Sequence, residues 1–525
     1  MIFKSIIVSG LLLGSVYAST LDDAFTADKR HDYVTAAKLY EKSATEGNKI
    51  AQYNLGVMYN DGIGVKRDKR KAFEWYKKSA EQGYASAQNN LGNIYYNGKI
   101  VPKNKQKANE LYLKSAKQGY TLGQYNIALA YKLGDGIEKN IDEAIKWFNI
   151  SAEQKYSPSM LELGLIYEHG DGVAVDKKKA VIYYRKAASL GNASAQFNMA
   201  IVYADGIGVK KDLAEALKWY TQAAQNGNSD AANNLAYMYR NGITVKKDIV
   251  TAVKWYKKAS KLGSAIAKYN LGFLYESGDG VVKDPISGMA YFTEAAFLGY
   301  EKAQMLLADR SERGIGMAKN MKDAAMWYKM AAEQGNPLAL NQIGFYYITG
   351  QGGLAKNKKE GFKWIEKAAI KGNVIAQKNL GLLYRDGTGV ASNPKLSEKW
   401  FLRAANRDNL YAQSELGLIY IDSKKYKEAA YWLKKAAQAN DRASQNNLGF
   451  LYHNGFGVKR DYKTASKWYE KSAKNGFGQA QYNLAVMYYE GEGVKKDKKK
   501  AKKWMQKCAK QGNTNAKKFL AKNKF

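Results

Sequence analysis

One pattern of apolar and small positions repeats along almost the whole chain. The segment AQYNLGVMY at 51–59 recurs as AQFNMAIVY at 195–203 and as AQYNLAVMY at 480–488. Its sixth position, here called the anchor, is glycine or alanine at every occurrence. The anchors stand at positions 56, 92, 128, 164, 200, 236, 272, 308, 344, 381, 417, 449, 485 and 521, in steps of 36 with one step of 37 and one of 32. A fixed period of this length is typical of an array of one stacked structural unit.

Each unit is predicted to contain two helices. Ala51, Leu55 and Met58 follow the spacing i, i+4, i+7 in the first helix, and Ala72 and Tyr76 start the same spacing in the second. Each pattern gives one apolar stripe at the helical period. All ten tryptophans fall in one column of the second helix, which we therefore expect in the core: Trp75, Trp147, Trp219, Trp255, Trp327, Trp364, Trp400, Trp432, Trp468 and Trp504.

The ends and the close contacts of these helices are also marked. Glycine inside a helix is less favourable than alanine by about 1 kcal/mol, so the anchor predicts close approach of another helix. Gly62 and Gly64 follow the first helix and are expected to end it in the left-handed conformation. Asp or Asn four residues before the Ala72 column is the expected N-cap of the second helix, as at Asp68 and Asn104.

These motifs predict an all-α fold, an α/α superhelical solenoid of helix-turn-helix repeats, and the unit resembles the Sel1-like repeat, a relative of the tetratricopeptide repeat. We expect a cleaved signal peptide at 1–18, a degenerate N-terminal repeat at 19–50, thirteen repeats of about 36 residues at 51–514, and a truncated C-terminal capping helix at 515–525. The resemblance implies a non-catalytic scaffold or adaptor that binds proteins. A secreted subgroup with paired cysteines has been linked to binding or hydrolysing β-lactams, and this chain has only one cysteine, Cys508.

The N-terminus has the composition of an export signal. Lys4 precedes an apolar stretch from Ile6 to Val16 that is too short to span a bilayer, and Ala18 ends a small-residue cleavage motif. We therefore expect cleavage after Ala18 and an exported protein, periplasmic or secreted, with bacterial export favoured over the eukaryotic secretory pathway.

The composition bounds the chemistry. The chain has 83 Lys+Arg against 48 Asp+Glu, a net charge of +35, which attracts polyanions. Export argues against a nucleic-acid partner, so the polyanions considered are anionic glycans or envelope polymers. One cysteine and three histidines among 525 residues exclude a disulfide framework and a zinc cage held by this chain alone, and no metal or cofactor is expected. No transmembrane segment is predicted.

Two columns are candidate binding residues. The first is an asparagine two positions before the anchor, and asparagine is a poor residue for a helix interior. It either bonds the backbone of an extended peptide along a concave face lined by the first helices, or it bonds a neighbouring loop or helix end. Its members are Asn54, Asn90, Asn126, Asn198, Asn234, Asn270, Asn379, Asn447 and Asn483.

The second candidate is basic and has two parts: a ridge of lysines and arginines just before the caps of the second helices, such as Lys210 and Lys246, and the basic C-terminal end. That end comprises Lys495, Lys496, Lys498, Lys499, Lys500, Lys502 and Lys503. Three functions stay open at this point. The chain is a scaffold for protein or peptide partners, a binder of anionic envelope or host polymers, or, remotely, a β-lactam-binding or β-lactam-hydrolysing enzyme.

Overall fold

A computed structural model describes residues 16–523, and in that range it contains 29 α-helices and no strand. Nearly all of the helices are 13 residues long, and they follow one another in consecutive pairs. Their bounds are α1 Val16–Lys29, α2 Tyr33–Thr45, α3 Lys49–Asp61, α4 Lys69–Glu81, α5 Ala85–Asn97, α6 Lys105–Lys117, α7 Thr121–Leu133, α8 Ile141–Glu153, α9 Ser157–His169, α10 Lys177–Ser189, α11 Ala193–Asp205, α12 Leu213–Gln225, α13 Ser229–Asn241, α14 Ile249–Lys261, α15 Ala265–Ser277, α16 Pro285–Phe297, α17 Glu301–Arg313, α18 Met321–Glu333, α19 Pro337–Thr349, α20 Lys358–Ile370, α21 Val374–Asp386, α22 Pro394–Ala405, α23 Leu410–Asp422, α24 Tyr426–Gln438, α25 Arg442–Asn454, α26 Tyr462–Lys474, α27 Gly478–Glu490, α28 Lys498–Lys510 and α29 Thr514–Lys522.

The chain divides into two compact units, each of which is built from several of the helix pairs, or repeats, described above. The first consists of residues 1–267 with 279–281, and the second of 268–278 with 282–525. In each unit the odd-numbered helices, here called A helices, and the even-numbered B helices pack against their neighbours in sequence. This arrangement confirms the predicted all-α solenoid of helix-turn-helix repeats.

The predicted helix ends are confirmed. The Asp68 carboxylate accepts hydrogen bonds from the backbone N–H groups of Arg70 and Lys71, and Asn104 caps α6 in the same way. Gly62 ends α3 at a φ of 76°, in the left-handed region that favours glycine. In the repeat with the 32-residue step, Lys425 stands at the N-cap of α24. Its side chain makes no capping hydrogen bond.

The close approach predicted at the anchor is made by a B-helix side chain of the same repeat. A Cβ added to Gly272 would lie 2.5 Å from the Phe292 ring, and one added to Gly381 would lie 2.8 Å from the Phe401 ring. Both rings are fully buried. The anchor is therefore small because it receives this ring.

The prediction that the tryptophan column belongs to the core was only partly correct. The fully buried residue is the one after the tryptophan, as with Tyr256 and Phe401. Trp327, Trp400 and Trp432 are buried as well, whereas the other seven tryptophans are half-buried. Most of the half-buried rings lie beneath the ammonium group of a lysine three residues later in the same helix. This cation–π contact favours an aromatic residue at the edge of the core.

The predicted signal peptide lies almost entirely outside the described residues, and the expected cleavage point at Ala18 falls in the first turn of α1. The residues that follow form the α1–α2 pair, in which Leu39 stands at the tryptophan position and Tyr40, the residue after it, is fully buried. Among the helices of residues 16–523, none is long and apolar enough to cross a membrane.

Candidate binding surface along the A helices

All nine asparagines of the predicted column lie on A helices. Asn54 is buried at 1% exposure, and the other eight are half-buried. The column is therefore set in the packing between helices, with a partly accessible edge.

Several of these amides join an A helix to the A helix of the preceding repeat. Asn126 on α7 donates to the Oδ1 of Asn89 on α5 at 2.8 Å. The same bond recurs from Asn379 to Asn341 at 2.9 Å and from Asn483 to Asn446 at 3.0 Å. The acceptor is each time the residue three positions before the preceding anchor. Two adjacent amide columns thus bond successive A helices to one another.

Other members meet the buried B-helix tyrosine of the preceding repeat. Burial raises the pKa of Tyr184, the Glu168 carboxylate raises it further, and the Asn198 amide lowers it in part. Burial likewise raises the pKa of Tyr220, and the hydrogen bond with the Asn234 side chain lowers it in part. These amides compensate the hydroxyl groups that the core encloses.

Positions where the column lacks asparagine show its role most directly. Glu162 pairs with Lys132 of the preceding repeat at 2.8 Å, and Glu415 pairs with Arg385 at 2.9 Å. The Gln342 amide donates to Glu312 of the preceding repeat at 3.0 Å. In these three cases the partner stands four residues after the preceding anchor, so the replacement is matched by its neighbour, and at the other two positions the column holds the apolar Leu306 and Phe519.

The column therefore forms a polar seam between successive A helices. Of the two interpretations of the asparagine column, this is nearer to the one in which the amide bonds a neighbouring part of the chain. The partners, however, are A-helix side chains rather than a loop or a helix end. Asn54 is too buried to reach a ligand, and recognition of a peptide by the half-buried members stays a prediction.

A second row on the A helices was missed from the sequence. The residue after each anchor, three positions beyond the asparagine column, is mostly apolar and accessible, and we call these residues the A-helix row. Tyr237 is 55% exposed, Phe345 44%, Leu418 41% and Phe450 39%. The row consists of Leu129, Leu165, Ile201 and Tyr237 in the first unit and of Phe273, Phe345, Leu382, Leu418, Phe450 and Val486 in the second.

The signal for this row was present in the repeat itself. An A helix that contributes one stripe to the core does not require an apolar residue directly after the anchor. An apolar residue at this position in most repeats therefore indicates a second apolar stripe on the A helices. Aligning the repeats and comparing them column by column would have shown it.

The lysines of the predicted basic end are all exposed. Lys498, Lys499, Lys500, Lys502 and Lys503 lie on α28, and Lys495 and Lys496 lie in the loop before it. Within the described residues, the only ion pair of this group joins the Lys500 ammonium to the Asp497 carboxylate at 3.7 Å. The structure thus leaves most of this charge available to an external anion.

The residues able to support chemistry are scattered. Cys508 is buried, its thiol donates to the Gly478 carbonyl oxygen, and burial raises its pKa. Within 16–523, no three His, Cys, Asp or Glu side chains are placed to hold a metal ion.

The repeat unit matches a known family. The Sel1 repeat model matches fourteen adjoining segments: 27–48, 49–84, 85–120, 121–156, 157–192, 193–228, 229–264, 265–300, 301–336, 337–373, 374–409, 410–441, 442–477 and 478–513. No curated protein matches the chain at a significant level.

Solved structures of bacterial repeat proteins are similar to the chain. A protective antigen of uropathogenic Escherichia coli that displays an SLR fold is 29% identical, with 93% of this chain and 98% of that one covered and a TM-score of 0.48. A Sel1 repeat protein from Oxalobacter formigenes is 32% identical over 46% of this chain and 96% of its own, with a TM-score of 0.44. Cysteine-rich protein B of Helicobacter pylori is 28% identical over 25% of this chain and 96% of its own, with a TM-score of 0.22.

Proposed function

The chain belongs to the Sel1 repeat family, and we propose that it is an exported, non-catalytic scaffold that binds protein partners along its A helices. Sel1 repeat solenoids are commonly protein-interaction scaffolds and are typically non-catalytic. Export rests on the signal-like sequence of residues 1–18.

The observation that carries this proposal is the A-helix row. Phe345, Leu418 and Phe450 are large apolar side chains that remain 39–44% exposed on three A helices of one unit. Exposed apolar residues that recur in line mark an interaction surface more strongly than scattered ones do. A row with one such residue per repeat suits an elongated partner that presents apolar side chains at intervals.

The polar seam beside the row supports a peptide rather than a lipid. An apolar residue and the asparagine three positions before it lie on the same face of an A helix. An extended peptide offers apolar side chains to the row and backbone N–H and C=O groups to the accessible edges of the amides. The net charge of +35 favours an acidic peptide among those that fit.

The experiment selects peptides from a displayed random library on the purified protein and measures the affinity of a selected peptide by fluorescence polarisation. The double variant Phe345→Asp with Leu418→Asp is compared with the wild type. Burying one such side chain contributes about 1.5–3 kcal/mol, so we expect affinity to fall at least about tenfold.

Ile370→Asp provides the matched control. Ile370 is 67% exposed in the same unit but lies on a B helix, so the same substitution should leave affinity unchanged. Equal affinities for all three proteins would show that the row does not bind the peptide, and selection of no peptide would remove the scaffold proposal in this form.

A second function, binding of an anionic polymer, is favoured by the exposed lysines of α28 and its preceding loop. Lys498, Lys499, Lys502 and Lys503 have no carboxylate partner among the described residues. If they bind a dense polyanion, affinity should fall steeply with salt because bound phosphates or sulfates release counterions.

The test measures heparin and lipopolysaccharide binding at ~50 and ~200 mM salt, a range in which release of several counterions changes affinity strongly. Changing those four lysines to glutamine should lower affinity and flatten the salt dependence. The control changes Lys38, Lys77, Lys114 and Lys117, four exposed B-helix lysines of the first unit that lie outside the basic ridge. Equal effects of the two quadruple variants would show that only net charge matters.

A further inference from the structure

A small polar cavity lies between α5, α6 and α7 of the first unit. Its volume is about 220 Å³. The polar side chains that line it are Asn93, Tyr96, Asn97, Asn109, Tyr112, Asn126 and Asp135. Four amides around one cavity are unusual in a repeat whose core is otherwise apolar, and they indicate a site for a hydrogen-bonding ligand.

Asn109 is the central observation. The side chain is only 4% exposed, and its Nδ2 donates to the Asp135 carbonyl oxygen at 2.8 Å. Its Oδ1 is buried and has no hydrogen-bond partner. Leaving a buried acceptor unsatisfied is unfavourable by about 1–3 kcal/mol, so a group that donates to this oxygen would be bound favourably.

Comparison with the other repeats shows that folding does not require this asparagine. The equivalent B-helix positions hold Val181, Leu217 and Val253. The loop residue at the place of Asp135 is Ile207 after Val181 and Ile243 after Leu217, but it is again an aspartate, Asp279, after Val253. Elsewhere in the first unit the place of Asn109 is thus always apolar, whereas the loop position varies, so the asparagine is what distinguishes this repeat.

The charge of the cavity is balanced. The Tyr96 hydroxyl donates to Asp135 Oδ2 at 2.8 Å, and the Lys105 ammonium bonds the other carboxylate oxygen. The hydrogen bond from Lys105 and, to a smaller extent, the one from Tyr96 hold the pKa of Asp135 below its usual value. Because the carboxylate already has a cationic partner, the cavity favours a neutral ligand.

The remaining lining supplies further hydrogen-bonding groups and an apolar wall. Asn93 Oδ1 accepts from the Tyr112 hydroxyl at 2.7 Å, which leaves the Asn93 amide nitrogen as a donor. Leu129 and Leu133 line the other side, and Leu133 is 64% exposed at the mouth. The site therefore combines neutral acceptors, neutral donors and an apolar wall.

We propose that this cavity binds one neutral pyranose ring. A pyranose has hydroxyl groups that both donate and accept, and C–H faces that pack on apolar and aromatic side chains. Sites for drug-sized ligands occupy about 300–1,000 Å³, so the smaller volume found here suits a single ring. The ring comes either from a free sugar or from a residue of a glycan chain. Leu129 and Asn126 also belong to the A-helix row and the asparagine column, but Asn109, whose buried oxygen carries the inference, belongs to neither.

Saturation-transfer-difference NMR on the purified protein tests the proposal. The probes are glucose, galactose and N-acetylglucosamine, together with cellotetraose and chitotetraose. We expect ring-proton signals from at least one sugar, and a loss of at least fivefold in affinity for Asn109→Val, which installs the residue found at Val253. A tetramer that binds more tightly than its monomer identifies a glycan chain as the source, and equal affinities identify the free sugar.

A second pair of variants separates binding from folding. Asn97→Ala removes a cavity amide that donates to the backbone oxygen of Asn93 at 2.8 Å, and Asn241→Ala removes an amide with the equivalent bond to Tyr237 at 2.8 Å away from the cavity lining. Asn97→Ala should weaken binding and Asn241→Ala should not. Absence of signal for every sugar, or equal binding by Asn109→Val and the wild type, would overturn the proposal.

Discussion

Replacing the anchor Gly272 by alanine is expected to destabilise the second unit. The added Cβ would lie 2.5, 2.6 and 2.8 Å from three carbons of the Phe292 ring. Carbon atoms pack at about 3.5–4.0 Å, so the ring would have to move by about 1 Å. Phe292 is fully buried, which leaves it no free space into which to move.

The magnitude follows from two opposing effects. Overpacking of this kind destabilises by about 1–3 kcal/mol. Alanine in place of glycine stabilises a helix by about 1 kcal/mol. We therefore expect a net loss of up to about 2 kcal/mol. Adding Phe292→Met should recover part of it, because Ala485 already packs with the buried Met505 at the equivalent positions of another repeat.

Urea unfolding followed by far-UV circular dichroism provides the assay. Repeats contact mainly their neighbours, so the transition should move to lower urea and broaden as one part of the array unfolds earlier. Gly478→Ala is the control, since its Cβ would meet only the flexible Gln511 side chain, and its curve should not move downward. A Gly272→Ala curve that superimposes on the wild type would refute the packing argument.

Two further predictions concern the core and the helix caps. Phe401→Ala should destabilise by about 3–5 kcal/mol, and Trp468→Ala by less because its ring is half-buried, as measured by the same urea midpoints. Hydrogen bonds from Thr464 hold the pKa of Asp461 below its usual value, so its stabilisation is present above an unfolded-state pKa of about 3.9 and is lost as the pH falls through the folded-state pKa. The stability difference between the wild type and Asp461→Ala should therefore be full at neutral pH and vanish in acid, and a constant difference down to pH ~2 would contradict the assignment.

The repetition of the sequence made the fold predictable. Gly62, Asp68 and Gly272 each recur as a column, and each column has one local physical reason: a left-handed helix end, a cap or a close ring. Such reasons depend on a few neighbouring residues or on one partner helix, so periodicity alone reveals them. The structure adds the identity of the partner, as with Phe292 against Gly272.

The candidate site was less predictable because burial in a helix pair is not symmetric. Trp255 and Tyr256 are adjacent and both aromatic, yet only Tyr256 points fully into the core, while Trp255 lies at its edge beneath the Lys258 ammonium. In the same way, the spacing placed Asn126 on an A helix without showing that Asn89 of the preceding repeat would accept its hydrogen bond. Contacts between repeats depend on how successive units stack, which no single unit encodes.

Comparison of the repeats assigns different tasks to neighbouring A-helix columns. The asparagine column varies together with the position that it touches in the preceding repeat, as with Glu162 and Lys132, so its variation follows the stacking of repeats. The A-helix row stays mostly apolar, and its most exposed members, Tyr237, Phe345 and Leu418, are accessible to something outside the chain. The row is interrupted at Asn93, where the first unit has the amide-lined cavity instead of an apolar side chain. A change from an apolar to an amide lining at one repeat changes the chemistry of what can bind there. Because Leu129 belongs both to the row and to the cavity lining, a peptide that reaches this repeat would compete with the sugar, whereas a peptide bound at Phe345 and Leu418 would not.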